Sequence, residues 1–151
     1  MHEMKRPRFW LVAVAAVLLA AGIGQADTAI KWYEYNAGTA AAKDAGKKTL
    51  LYFYTDWCTF CKKMDKQTFG NPAVSDYLAD HYIAIRVNAD EKRALARQYG
   101  AEGMPVSFFL TPEGQRISKL PGYIPPGRFL KILKYIGTDS YRKMPLGAFK
   151  E

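Results

Sequence analysis

Thr49-Leu50-Leu51-Tyr52-Phe53-Tyr54-Thr55-Asp56-Trp57-Cys58-Thr59-Phe60-Cys61-Lys62 opens as an unbroken apolar and aromatic run and ends in a Cys-x-x-Cys unit. The run Thr49 to Thr55 has strand length and no polar alternation, the pattern of a strand buried on both faces of a sheet. After Cys61 the sequence KKMDKQTF, residues 62–69, has helical character. The cysteine pair therefore sits where a buried strand gives way to a helix, with Cys58 at the helix start. Free backbone N–H groups and the positive end of the helix dipole there favour a thiolate, drawing a thiol pKa from about 8.5 toward roughly 3.5–7.5. Cys61, about one turn further on, is close enough to resolve a mixed disulfide formed at Cys58. Two blander uses of the pair compete with exchange. A closed zinc site wants four ligands, and beyond the leader this chain offers two cysteines and His81, so no metal is expected. A purely structural link closing so short a loop would add little stability.

Working outward, Ala37 to Ala45 is Ala-rich and stops at Gly46, as a helix with a glycine end would. Asn71-Pro72 reads as an N-cap with proline at the first helical position, opening a helix to about His81. Tyr82 to Asn88 (YIAIRVN) is strand-like, and Asp90 to Tyr99 is a helix closed by Gly100. Val106 to Leu110 and Arg116 to Leu120 flank the turn Thr111-Pro112-Glu113-Gly114 and form a hairpin. Phe129, Leu130, Ile132, Leu133 and Ile136 recur at helical spacing over Pro126 to Ile136. Parallel crossover units combined with an antiparallel pair imply an α/β fold, a mixed central sheet flanked by helices.

The chain has 151 residues, 49% hydrophobic and 14% aromatic, enough for one domain with a real core. Lys5, Arg6 and Arg8 precede an uncharged apolar run from Phe9 to Ile23, followed by Gly24-Gln25-Ala26. That is the layout of a signal peptide over residues 1–26, cleaved before Asp27, with a domain over 27–151. The apolar run is short against the roughly 20 residues of a spanning helix, though a retained membrane anchor is the alternative. Loss of residues 1–26 removes three of 22 basic residues and one of 14 acids, so the net charge falls from +8 to +6. The remaining Lys and Arg are scattered with no run of five, which argues against nucleic acid and leaves a mild preference for acidic partners. Export would place the cysteines in an oxidising compartment where disulfides persist.

Phe53 to Lys62 resembles the active-site stretch of thioredoxin-fold thiol–disulfide oxidoreductases. It is especially similar to the C-terminal thioredoxin-like domain of the bacterial disulfide reductase DsbD and to related small periplasmic thioredoxins. The likeness runs through Met64, Thr68-Phe69, Asn71-Pro72-Ala73-Val74, Gly103-Met104-Pro105, Phe108-Phe109-Leu110, Pro112-Glu113-Gly114 and Gly122-Tyr123, nearly all of residues 30–137. It implies a thioredoxin fold in which Cys58 is the nucleophile, Cys61 the resolving thiol and Pro105 a cis-proline. Met104 would then offer backbone to a substrate strand, and Trp57, Thr59 and Phe60 would line the substrate contact. No bound cofactor is implied, the redox-active disulfide Cys58–Cys61 carrying the electrons.

The same resemblance implies a monomeric periplasmic reductase of exported protein disulfides, recharged by a DsbD-type membrane electron donor. An oxidase or isomerase, or a binding module that uses the groove without turnover, are the alternatives, and Thr59-Phe60 does not decide between them. One departure stands out. Where the family usually carries a buried acid six residues before the first cysteine, this chain has Tyr52. Asp65, four residues after Cys61, matches an acidic position of the DsbD domain and is the candidate acceptor for the Cys61 proton, unless it is a surface acid beside Lys62 and Lys66.

Overall fold

The computed structural model describes residues 29–150, so the expected leader lies outside the described residues. Among the described residues, five strands and five α-helices follow in the order β1 (Trp32–Tyr33), α1 (Tyr35–Ala45), β2 (Lys48–Tyr54), α2 (Thr59–Met64), α3 (Pro72–His81), β3 (Tyr82–Asn88), α4 (Arg93–Tyr99), β4 (Val106–Leu110), β5 (Arg116–Pro121) and α5 (Pro126–Gly137). The strands form one sheet in the order β1-β3-β2-β4-β5. β1 and β2 run parallel to β3, whereas β4 is antiparallel to both β2 and β5. This is the mixed, helix-flanked thioredoxin architecture.

β2 lies at the centre and its residues alternate between two cores, as a pleated strand requires. Leu50 and Tyr52 face Met64, Phe69, Leu78, Phe109, Phe129 and Leu133, so α2, α3 and α5 cover one face. Leu51 and Phe53 face Ala42, Ile85, Ala96 and Phe108, so α1 and α4 cover the other. Covering both faces explains why the strand reads as continuous apolar sequence.

The local stop signals act as their chemistry predicts. Gly46 and Gly100 end α1 and α4 in the left-handed region, at φ 61° and 64°. Asn71 caps α3 by accepting from the Ala73 and Val74 N–H groups. One expected boundary is corrected and two details are added. The segment after the cysteines is helical as expected, but in two parts: α2 ends at Met64 and a π-helical turn spans Asp65–Phe69. Gly70 permits it, because a Cβ there would stand 2.5 Å from the Lys66 carbonyl oxygen. The fourth helix starts at Arg93 rather than Asp90, since Asn88 holds the intervening backbone by accepting from the Asp90 N–H. Two-residue β1 carries too short a pattern to be read from sequence; it adds to the sheet edge by pairing with Ala84 and Ile85.

Candidate active site

β2 delivers the chain to the top of the sheet and Cys58 caps the helix that follows. Its backbone is extended (φ −76°, ψ 111°), and its Sγ accepts the Cys61 N–H at 3.1 Å. This is the N-cap role usually taken by Ser or Asp, here met by sulfur and aimed at a donor the helix would otherwise leave unpaired. Cys58 and Cys61 are joined in a disulfide with Cα atoms 5.2 Å apart. Both cysteines are buried, Cys58 at 5% exposure and Cys61 at 1%, so Cys58 is the less buried residue of the pair.

Around the pair lies an apolar rim. Trp57 is 72% exposed and Phe60 58%, and Thr59 between the cysteines is exposed too. Trp57 does not lie free: its indole N–H donates to Asp90 Oδ2 at 2.8 Å, while Asn88 donates to the neighbouring Asp56 at 3.1 Å. These bonds tie the cysteine loop to the loop after β3. Leading into β4, whose Val106 pairs with Phe53 of β2, the Met104–Pro105 bond is cis, as the resemblance implies, with Pro105 buried and Met104 half-buried. The Pro105 carbonyl accepts from the Gly122 N–H at 2.8 Å, and Thr68 donates to the Ile124 carbonyl at 2.6 Å, joining the proline loop to the turn beneath the cysteine helix. The structure thus brings Trp57, Cys58, Thr59, Phe60 and Cys61 together on one helix start and its approach.

Asp65 lies one turn after Cys61, where its N–H bonds the Cys61 carbonyl. It is half-buried and ion-paired rather than fully exposed. Its Oδ2 accepts from Arg86 at 2.7 Å, and the two side chains keep only 32% and 28% exposure. Its Oδ1 is buried with no protein hydrogen-bond partner among the described residues, as is the Tyr52 hydroxyl. Tyr52 takes the place of the acid: burial first, then the charge of Asp65, pushes its phenol well above the ordinary value near 10, so it keeps its proton. Partial burial works against charge on Arg86, but the Asp65 hydrogen bond and charge outweigh it and hold the guanidinium protonated. Sequence reasoning missed Arg86, Asn88 and Asp90. Arg86 carried a signal, as the one charge in the apolar strand YIAIRVN. No group of three or more metal-ligating side chains occurs among the described residues.

A sulfur pair at a strand-to-helix junction, flanked in sequence by exposed aromatic residues, with a cis-proline leading into the strand paired to β2, is the equipment of thiol–disulfide exchange. The family model of the thioredoxin-like domain matches residues 35–137. Over 102 residues the chain is 36% identical to thiol:disulfide interchange protein DsbD 2 of Pseudomonas aeruginosa, a match covering 64% of this chain and 17% of that protein. A thioredoxin from Thermus thermophilus superposes with a TM-score of 0.66 at 30% identity, covering 72% of this chain and 87% of the other. The oxidised DsbD C-terminal domain of Neisseria meningitidis gives 0.54 at 29% identity, over 69% and 97%. The chain belongs to the thioredoxin-like family. Within it, the Cys58–Cys61 pair makes this a thioredoxin-like thiol–disulfide oxidoreductase.

Proposed function

We propose that this protein is a periplasmic reductase of protein disulfides, with Cys58 as attacking thiol and Cys61 as resolving thiol. The observation that carries the reading is the placement of Cys58 Sγ at the helix start, in hydrogen-bond contact with the Cys61 N–H and less buried than Cys61. In the reduced protein the Cys58 thiolate attacks one sulfur of a substrate disulfide. The substrate S–S bond breaks, a Cys58–substrate mixed disulfide forms, and the departing thiolate takes a proton. Cys61 then gives up its proton and attacks Cys58 Sγ, which reforms the Cys58–Cys61 bond and expels the second substrate thiolate. Two electrons pass to the substrate, and the pair needs no bound cofactor for this.

Trp57, Thr59, Phe60 and the Met104–Pro105 backbone supply the substrate contact: the exposed rings bury apolar residues flanking a target cysteine, and the backbone beside the cis-proline pairs with an extended strand. Likeness to DsbD supports electron supply from a DsbD-type membrane donor and exported proteins as substrates, with the protein acting as a monomer. The matched segment spans 17% of that relative's length, so the assignment concerns this domain's chemistry alone. Thiol-dependent reduction of insulin is the test. Turnover by the reduced protein that vanishes in Cys58→Ser supports the reading, whereas full folding without turnover identifies a binding module. Equilibration with glutathione separates direction: a potential near the thioredoxin value of roughly −270 mV marks a reductase and one near −120 mV an oxidase.

A further inference from the structure

The outer face of α2 is both apolar and cationic. Thr59, Phe60, Lys62 and Lys63 are exposed on it, and Lys66 and Gln67 continue the exposed face along the π-helical turn, while Cys61 and Met64 are buried. Lys63 is held rather than loose. Its ammonium lies 4.4 Å from the centroid of the Tyr123 ring, whose hydroxyl donates to Gln67 Oε1 at 2.6 Å. Gly122, the residue before that tyrosine, donates its N–H to the Pro105 carbonyl at 2.8 Å. Lys63 thus reaches from the cysteine helix to the loop that braces the cis-proline. An ammonium resting on a ring face still has N–H groups to offer an acceptor. Acids of the same region are engaged within the protein: Asp56 accepts from Asn88, Asp65 from Arg86 and Asp90 from Trp57. Glu91 and Glu102 are exposed, but they lie on the loops after β3 and before the cis-proline, off the face that carries the lysines.

We infer that this face selects among protein disulfides: Phe60 and Lys63 favour a target cysteine flanked by an apolar and an acidic side chain, with Lys62 and Lys66 adding charge around them. The inference deepens the proposed function and rests on Cys58 and Cys61 being the exchanging pair. A substrate chain that crosses the cysteine pair toward the cis-proline loop passes the ring of Phe60 and then the ammonium over Tyr123. Apolar area is buried at the first, and a carboxylate is met at the second. Rim charges of this kind act mainly on the rate of encounter and on the rejection of like-charged partners, so a basic flank is disfavoured as strongly as an acidic one is favoured. A second copy of this chain is a poor occupant, because it brings the same lysines and, without residues 1–26, a net charge of +6.

The test uses synthetic peptide disulfides that differ only in whether the residues beside the cysteine are acidic, amide or basic, each rate being referred to that on a small uncharged disulfide. At low salt kcat/KM for the acidic peptide should exceed that for the basic one by about tenfold, and the gap should narrow as salt screens the charges. Lys63→Gln should shrink the preference and Lys63→Glu should remove or reverse it. Lys43→Glu makes the same change of net charge near the end of α1, before β2 begins, and should leave the preference in place. Equal rates on the acidic and basic peptides overturn the inference, as does a preference that survives Lys63→Glu in a folded protein or falls equally in Lys43→Glu. A second measurement needs no turnover. Fluorescence anisotropy of the same labelled peptides, with serine for cysteine, on the Cys58→Ser protein should show the acidic peptide bound more tightly, and Lys63→Glu should abolish the difference. If no peptide is reduced, the reductase reading falls and this binding difference alone upholds the docking face; no difference overturns it. Binding to phosphatidylglycerol vesicles without any peptide preference would make the face a membrane contact instead.

Discussion

Cys58 and Cys61 sit three residues apart, yet their surroundings differ. Cys58 ends an extended approach and is the less buried of the two, while Cys61 points inward with Met64 from the first turn of the helix. A thiolate at the helix start is favoured by unpaired N–H groups, and the Cys61 N–H is already directed at the Cys58 sulfur. Iodoacetamide at mildly acidic pH should therefore modify Cys58 first in the reduced protein. Peptide mapping by mass spectrometry reads the order, and preferential labelling of Cys61 would reverse the assigned roles.

At the scale of the element, the stretch that supports the cysteines is held by close packing at one glycine. The turn Asp65–Phe69 closes with the Gly70 N–H on the Asp65 carbonyl, a five-residue step at 3.0 Å. A Cβ on residue 70 would meet the Lys66 carbonyl oxygen at 2.5 Å, and backbone cannot swing aside as a side chain can. Gly70→Ala should cost about 1–3 kcal/mol, the range of overpacking at a well-packed site. Gly127 in the first turn of α5 is the control. Nothing lies within 4 Å of a Cβ there, so Gly127→Ala should be neutral or gain up to about 1 kcal/mol from helix propensity. Urea denaturation of the two variants reads the difference, and equal midpoints would show that the π-helical turn yields without cost.

At the scale of the whole molecule, two predictions concern the chain as a unit. Burial raises the phenols of both Tyr52 and Tyr82 above the ordinary value. A raised folded-state value means that this contribution is complete below the unfolded value of about 10 and is lost as pH rises beyond it, because the unfolded chain then releases protons that the folded one keeps. Each such tyrosine should lower stability by up to about 1.4 kcal/mol per pH unit above that point. Denaturation curves at pH 9, 10 and 11 should show the decline, and Tyr52→Phe should make it shallower; an unchanged slope would remove Tyr52 as a contributor. The second prediction is export. Among the described residues no helix is long and apolar enough to cross a membrane, and the proposed periplasmic form should begin at or near Asp27. N-terminal mass spectrometry of the exported protein decides it: retention of Phe9 to Ile23 with membrane partitioning would identify an anchor instead.

What was legible in the sequence was whatever a few neighbouring residues can dictate. The apolar run before Cys58 suited a central strand, because a strand covered on both faces can place that many large side chains in succession. Gly46, Gly100 and Asn71 marked helix ends through backbone freedom and side-chain capping, which act within one turn. The spacing of Cys58 and Cys61 carried the redox chemistry for the same reason, since one helical turn brings them together. The tertiary structure alone decided the rest of the site. Arg86 reaches Asp65, and Asp90 reaches Trp57, only after β3 has paired beside β2 and carried residues 21 and 33 positions apart into contact. β1 is likewise too short for a period of its own and exists by borrowing hydrogen-bond partners from β3. Side-chain pairing across a sheet depends on register and on which face each residue takes, and these follow from the packing of the whole core.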